Sequence, residues 1–130
     1  MAAMLRVLVI DDEVVMLRTA QRVLRRAPVD VVAIADPTEA LAMLATGERF
    51  DVILCDLHMP QMNAVEVIQR LKATCPDQAD RLVAMTGGAI HRDDTALLDE
   101  RGPERCLMKP FTPDELFSLL GRYVIHRTAA

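Results

Sequence analysis

Three acidic residues in a row, Asp11-Asp12-Glu13, follow directly on an apolar run, Leu5–Ile10. Asp56 closes a second run, Val52–Cys55, Thr86 a third, Leu82–Met85, and Lys109 a fourth, Cys106–Met108. Brought to one place, Asp11, Asp12 and Asp56 would set three carboxylates beside the hydroxyl of Thr86 and the amine of Lys109. Carboxylates within about 5 Å repel one another by several kcal/mol at an effective dielectric near 20. Such a cluster persists only with a cation or with a raised pKa. An all-oxygen donor set selects a hard divalent ion, Mg²⁺ first, with water completing the octahedron. Each residue taken alone has a plainer reading. An acid after a strand commonly caps the next helix, and Asp11 or Asp12 could do both jobs; Thr86 alone reads as a turn hydroxyl and Lys109 as a solvated turn lysine. The conjunction of these types at four run ends is what points to chemistry.

The elements that would carry them alternate along all 130 residues. The four runs and a fifth, Val29–Ile34, are apolar on both faces, as parallel strands buried between helix layers are. Between them the apolar spacing changes to 3.6, with Val14, Leu17, Ala20 and Leu24 after the first run, and Ala64, Val67, Ile68 and Leu71 after the third. Leu116, Leu119, Leu120 and Tyr123 line the last helix. Asp36-Pro37-Thr38-Glu39 and Thr112-Pro113-Asp114-Glu115 each place an N-cap, a first-turn proline and an acid. Gly47 and Gly102 fall where the second and fourth helices should stop. The fourth helix, about Ile90 to Arg101, is the weakest, its stripe reduced to Ile90, Leu97 and Leu98. Five strands alternating with five helices predict a single domain, a three-layer α/β/α sandwich on a parallel sheet. In such sheets ligands bind at the carboxyl ends of the strands, where the acids, Thr86 and Lys109 lie.

Composition removes several function classes. Hydrophobic residues make up 52% and charged ones 26%, enough apolar surface for a core and against disorder. A net charge of −4, no evident basic cluster and 3% aromatics argue against direct nucleic-acid binding. Three cysteines, Cys55, Cys75 and Cys106, form no CxxC pair and fit a reducing compartment. The N-terminus lacks the pattern of a signal peptide and no apolar run reaches the ~18–20 residues of a membrane span, so a cytoplasmic location without membrane contact is expected.

Ile10-Asp11-Asp12-Glu13, Asp56-Leu57-His58-Met59-Pro60, Met85-Thr86-Gly87 and Met108-Lys109-Pro110-Phe111 together resemble the receiver domain of two-component response regulators, of the chemotaxis-regulator type. The resemblance covers about Leu5 to Val124 and implies a five-stranded sheet in the flavodoxin-like order 2-1-3-4-5, a family example that general accounts of this fold already use. It implies that Asp56 accepts a phosphoryl group from a histidine kinase or histidine phosphotransfer protein. Asp12, Asp56 and the backbone carbonyl of His58 would ligate Mg²⁺, with Asp11 acting largely through water. Lys109 would pair with the phosphoryl oxygens, aimed by a cis bond to Pro110, and Thr86 would donate to one of them. Such a domain is a phosphoacceptor rather than an enzyme, although Mg²⁺-dependent autophosphorylation and autodephosphorylation come with it. A downstream effector is implied without being identified, and a weak homodimer is compatible with the family.

This chain departs from the family pattern at three positions. Cys106 stands three residues before Lys109, where the family usually has Tyr or Phe. Asn63-Ala64 stands where Asp-Gly or Asn-Gly is common; a φ > 0 turn would cost Ala64 ~1–2 kcal/mol, so a different loop is expected. His58, two residues after the acceptor, reads either as an exposed loop side chain or as a modulator of phosphoryl loss. Competing readings fit less well. A metal-dependent phosphatase with an aspartyl intermediate needs an acid at position 58, and a flavin or nucleotide module needs a Gly- or Ser/Thr-rich loop after the first strand. A degenerate receiver would lack an Asp, the Thr or the Lys. No output domain follows Tyr123 in this sequence. A stand-alone receiver and one excised from a hybrid sensor kinase or larger regulator both fit, the latter through similarity in Met85-Thr86-Gly87-Gly88-Ala89.

Overall fold

The structure, a computed structural model, describes residues 5–87 and 106–129. Five strands, β1 (Leu5–Ile10), β2 (Val29–Ile34), β3 (Val52–Asp56), β4 (Leu82–Thr86) and β5 (Cys106–Met108), form one parallel sheet. Their order is β2-β1-β3-β4-β5, with the reversal beside β1 that opens a crevice at the strand ends. The helices are α1 (Val14–Leu24), α2 (Pro37–Ala45), α3 (Ala64–Thr74), the single turn α4 (Pro76–Ala79) and α5 (Pro113–Ala129). The expected helix over about 90–101, its stop at Gly102, and Gly88 lie outside the described residues.

Alternation along the strands divides the core in two. Leu8, Ile10, Ile53, Cys55, Leu82 and Ala84 face α2 and α3, whereas Val7, Val9, Val52, Leu54, Val83 and Met85 face α1 and α5. Burial on both faces is why β1, β3 and β4 are almost continuously apolar, whereas the outer strands depart from that expectation: β2 is only half-buried with Asp30 exposed, and Met108 of β5 is exposed. The caps are those the sequence predicts. Asp36 accepts from the Thr38 amide at 2.9 Å with Pro37 at the first helical position. Thr112 and Glu115 form a reciprocal box, the Glu115 amide donating to Thr112 Oγ1 at 3.1 Å. Gly47 ends α2 at φ 106, and the Lys109-Pro110 bond is cis.

Three local expectations are corrected. Val14 belongs to the sequence's apolar stripe on α1 but is 52% exposed; Val23 takes its place in the core. Glu13, not Asp11 or Asp12, is the N-cap of α1, and no side chain caps that helix. Ala64 needs no positive φ, because Asn63 adopts an extended conformation as N-cap of α3 and accepts the Glu66 amide at 2.9 Å.

The turn α4 leaves no periodic pattern in the sequence. Four residues are too few for a helical period to register. Its buried Gln78 acts as a substitute strand: Oε1 accepts the Phe50 amide at 2.9 Å and Nε2 donates to the Phe50 carbonyl at 3.2 Å. This pins the loop before β3 to the loop before β4. Gln78→Ala strips both partners from a buried peptide group and should cost about 2–3 kcal/mol in urea unfolding; an unchanged midpoint would refute the clamp.

Candidate functional site

The acids, the amine and the hydroxyl do converge. Asp11 follows β1, Asp56 ends β3, Thr86 ends β4 and Lys109 follows β5, so adjacent parallel strands deliver them to one edge. Ladder pairing fixes the register, with Asp56 opposite Met85 and Thr86 opposite Met108. The Lys109 amide then donates to the Thr86 carbonyl at 2.8 Å, extending the ladder by one bond. Asp11, Asp56 and Thr86 are buried, and Asp12 is half-buried.

One carboxylate oxygen from each of Asp11, Asp12 and Asp56 lies within 4.8 Å of the others. Opposite ligands of an octahedral Mg²⁺ ion are about 4.2 Å apart at the usual Mg–O distance, so this hard-oxygen set matches such an ion in chemistry and scale. The Lys109 ammonium stands among the acids. Its Nζ is 2.7 Å from Asp11 Oδ2, 3.4 Å from Asp56 Oδ1 and 3.7 Å from Glu13 Oε1. Lys109 is thus no solvated turn lysine, its side chain being only 10% exposed. Asp11 is further held by the Glu13 amide, which donates to Oδ1 at 3.0 Å. His58 is brought to the site by its backbone, whose N–H donates to the Asp56 carboxylate.

Burial first, and the neighbouring Asp11 charge second, push the Asp56 carboxyl up to about 6, against the opposing pull of Lys109 and the His58 amide. Burial alone would lower the Lys109 ammonium, but the Asp11 hydrogen bond and the charges of Asp11 and Asp56 hold it above its ordinary value. The thiol of Cys55 is pushed far up by burial and by Asp56 and Asp11, and burial also raises Cys106. Neither cysteine is a ready thiolate.

Glu13, the last of the acidic run, leans toward Lys109 as a third, exposed acid. One feature of the site escaped the sequence. Gly87, next to Thr86, lies against the lysine stem: a Cβ there would stand 3.2 Å from Lys109 Cβ. The glycine therefore allows β4 and the lysine to approach, a signal that only the β4–β5 register reveals.

The family model for the response regulator receiver domain matches residues 7–121. Among curated relatives, transcription factor SKN7 of Saccharomyces cerevisiae is 30% identical over 121 residues, covering 93% of this chain and 19% of that protein. The DNA-binding response regulator MtrA of Mycobacterium tuberculosis is 35% identical, covering 85% of this chain and 46% of that one. The chain thus spans less than half the length of these relatives. Among solved structures, chemotaxis protein CheY4 of Vibrio cholerae superposes with a TM-score of 0.75 at 30% identity, covering 93% and 99% of the two chains. A receiver domain from Clostridium thermocellum superposes at 0.82 with 24% identity, over 97% and 98%, which speaks for the fold. No described helix is long and apolar enough to cross a membrane.

The raised Asp56 carboxyl has a thermodynamic consequence in metal-free solution. Its folded pKa lies above the unfolded value near 3.9, so the native state binds the extra proton, and stability falls as pH rises from about 4 through 6. Asp56→Asn should remove that slope and, at pH 7 in EDTA, raise stability by about 1–2 kcal/mol. Parallel pH profiles of the two proteins would count against an electrostatically loaded acceptor.

Proposed function

The chain belongs to the response regulator receiver family, and from that premise we propose that Asp56 is the residue that takes the phosphoryl group. The observation that carries this reading is the position of Lys109 Nζ, 2.7 Å from Asp11 and 3.4 Å from Asp56 inside a three-carboxylate cluster. With its carboxyl near 6, Asp56 is ionised at neutral pH and more basic than an ordinary carboxylate, both of which suit a nucleophile. The obstacle is charge, since an anionic donor must approach three acids.

Asp12, Asp56 and the His58 carbonyl would hold Mg²⁺, with Asp11 acting largely through water. Bound there, the ion supplies positive charge against the equatorial phosphoryl oxygens. Lys109 brings a second positive charge from the β5 side and stabilises charge as it develops. An Asp56 carboxylate oxygen forms the new O–P bond while the N–P bond of a phosphohistidine breaks, its electron pair returning to the imidazole. Thr86 Oγ1, at the end of β4, donates to a phosphoryl oxygen once it is attached. The acyl phosphate is labile to water, so the domain resets itself. It acts as a self-modifying phosphoacceptor and not as an enzyme with a separate substrate.

The donor class is a histidine kinase or histidine phosphotransfer protein, and the response is a change in partner binding. The side chain of Cys106 is too small to act as the swinging aromatic of other receivers. The signal is therefore carried by Thr86, Lys109 and the backbone they move.

Acetyl phosphate with Mg²⁺ should add one phosphoryl mass to the wild type and none to Asp56→Asn. Equal labelling of the two in intact-mass spectra would overturn the assignment. With beryllofluoride, Thr86→Ala should lose the amide-shift changes of β4 and β5 that the wild type shows, and Cys106→Ala should keep them. The reverse pattern would place the switch at the thiol.

A further inference from the structure

Lys109 has more claimants than one ammonium can serve. Its three N–H bonds already meet three carboxylates, with Nζ 2.7 Å from Asp11 Oδ2, 3.4 Å from Asp56 Oδ1 and 3.7 Å from Glu13 Oε1. A phosphoryl group on Asp56 brings further oxygens to the same nitrogen, and no fourth N–H exists. One carboxylate must yield. Asp11 is fully buried, its contact is a charge-assisted hydrogen bond, and the Glu13 amide holds its other oxygen at 3.0 Å. Asp56 is the group that carries the phosphoryl. Glu13 remains, the most distant of the three, with a side chain that is 64% exposed.

The lysine itself has little room to move. Its amide donates to the Thr86 carbonyl at 2.8 Å, and its stem passes Gly87 so closely that an added Cβ would stand 3.2 Å from Lys109 Cβ and 3.7 Å from Cδ. The Glu13 backbone is equally fixed, its amide on Asp11 and its carbonyl accepting the Leu17 amide at 3.1 Å. Only the Glu13 side chain can turn, and it has somewhere to go. Glu13 is the N-cap residue of α1, a helix that no side chain caps and whose first turn holds no acid. A carboxylate released from Lys109 can accept the Val15 or Met16 amide there, where the helix dipole favours negative charge.

We propose that Glu13 is an exchangeable counter-ion: it holds the outward side of Lys109 while Asp56 is free, gives that place to the phosphoryl group, and caps α1 in the phosphorylated state. The inference rests on the reading of Asp56 as phosphoacceptor. Glu13 then opposes occupancy of the site, because every phosphoryl group has to displace it. Its release also couples the modification to the start of α1, beside the exposed Val14 and Val15. It is a positioning residue that acts through Lys109.

The test uses beryllofluoride, a phosphoryl mimic that needs no donor, at saturating Mg²⁺ and a single pH. Glu13→Gln should bind it about fivefold more tightly than the wild type, the upper range for an ion pair with one exposed partner. Glu13→Asp separates exchange from repulsion: it keeps the charge at the rim, but its shorter side chain is drawn back to the α1 amides, so it too should bind more tightly than the wild type. Hydrogen exchange of the Val15 and Met16 amides should slow on beryllofluoride addition in the wild type, be slow from the start in Glu13→Asp, and not respond in Glu13→Gln. If Glu13→Asp matches the wild type and the advantage of Glu13→Gln disappears at about 0.5 M salt, Glu13 acts by repulsion from a distance and the exchange is refuted. Equal affinities of the wild type and Glu13→Gln also overturn it, and the acceptor reading survives that result if Asp56→Asn does not bind. If the wild type neither binds beryllofluoride nor takes a phosphoryl group from acetyl phosphate, the acceptor reading itself has failed.

Discussion

Repulsion among three carboxylates at one sheet edge is the constraint around which the molecule is arranged. Nothing in a folding chain gathers Asp11, Asp12 and Asp56 within 4.8 Å for stability's sake; at an effective dielectric near 20 the pairs cost several kcal/mol together. Two features keep the arrangement intact. The Lys109 ammonium touches Asp11 and lies near Asp56 and Glu13, and the central strands β1, β3 and β4 beneath are buried on both faces and too well packed to relax. One lysine cannot neutralise three acids, so a residual demand for positive charge remains, and the Asp56 carboxyl is raised first by burial and second by the Asp11 charge. That demand is the driving force for a divalent ion, and it links folding, metal and phosphoryl chemistry in one electrostatic balance.

The same balance explains why the supporting contacts are backbone contacts. Asp11 is held by the Glu13 amide and Asp56 by the His58 amide, while the lysine's own amide is fixed by the Thr86 carbonyl. Amides bring dipoles without adding charge, and they aim the side chains without competing for a cation. Gly87 belongs to the same logic, since it allows the lysine stem to pass where any side chain would press on it. A site of this kind is built by register, and register is set by the hydrophobic alternation of the strands.

That is also why so much of it could be read from the residues. Continuous apolar runs locate the strands, parallel sheets put function at their carboxyl ends, and the residue after each run names the group delivered there. Asp11, Asp56, Thr86 and Lys109 follow from that rule. What could not be read depends on distances across the sheet or on short elements. The single turn α4 has no period, and Gln78 looks like any surface glutamine until its pairing with Phe50 is seen. Gly87 looks like a turn residue until the lysine lies against it. Val14 fits the apolar spacing of α1, but it is the first residue of that helix and stands exposed.

Electrostatics divide the domain into two regions of opposite sign. The reaction needs a negative pocket that attracts a small cation, yet such a pocket repels every phosphorylated donor at long range. Arg18 and Arg22 on α1, with Arg25 and Arg26 just past its end, are exposed and have no ion-pair partner among the described residues, so positive charge lies within one helix length of that pocket. Between them, Val14 and Val15 supply apolar area that carries no charge preference. Phosphoryl transfer to a receiver domain needs alignment as well as attraction, since the donor nitrogen and the accepting carboxylate oxygen must meet in line and not merely nearby.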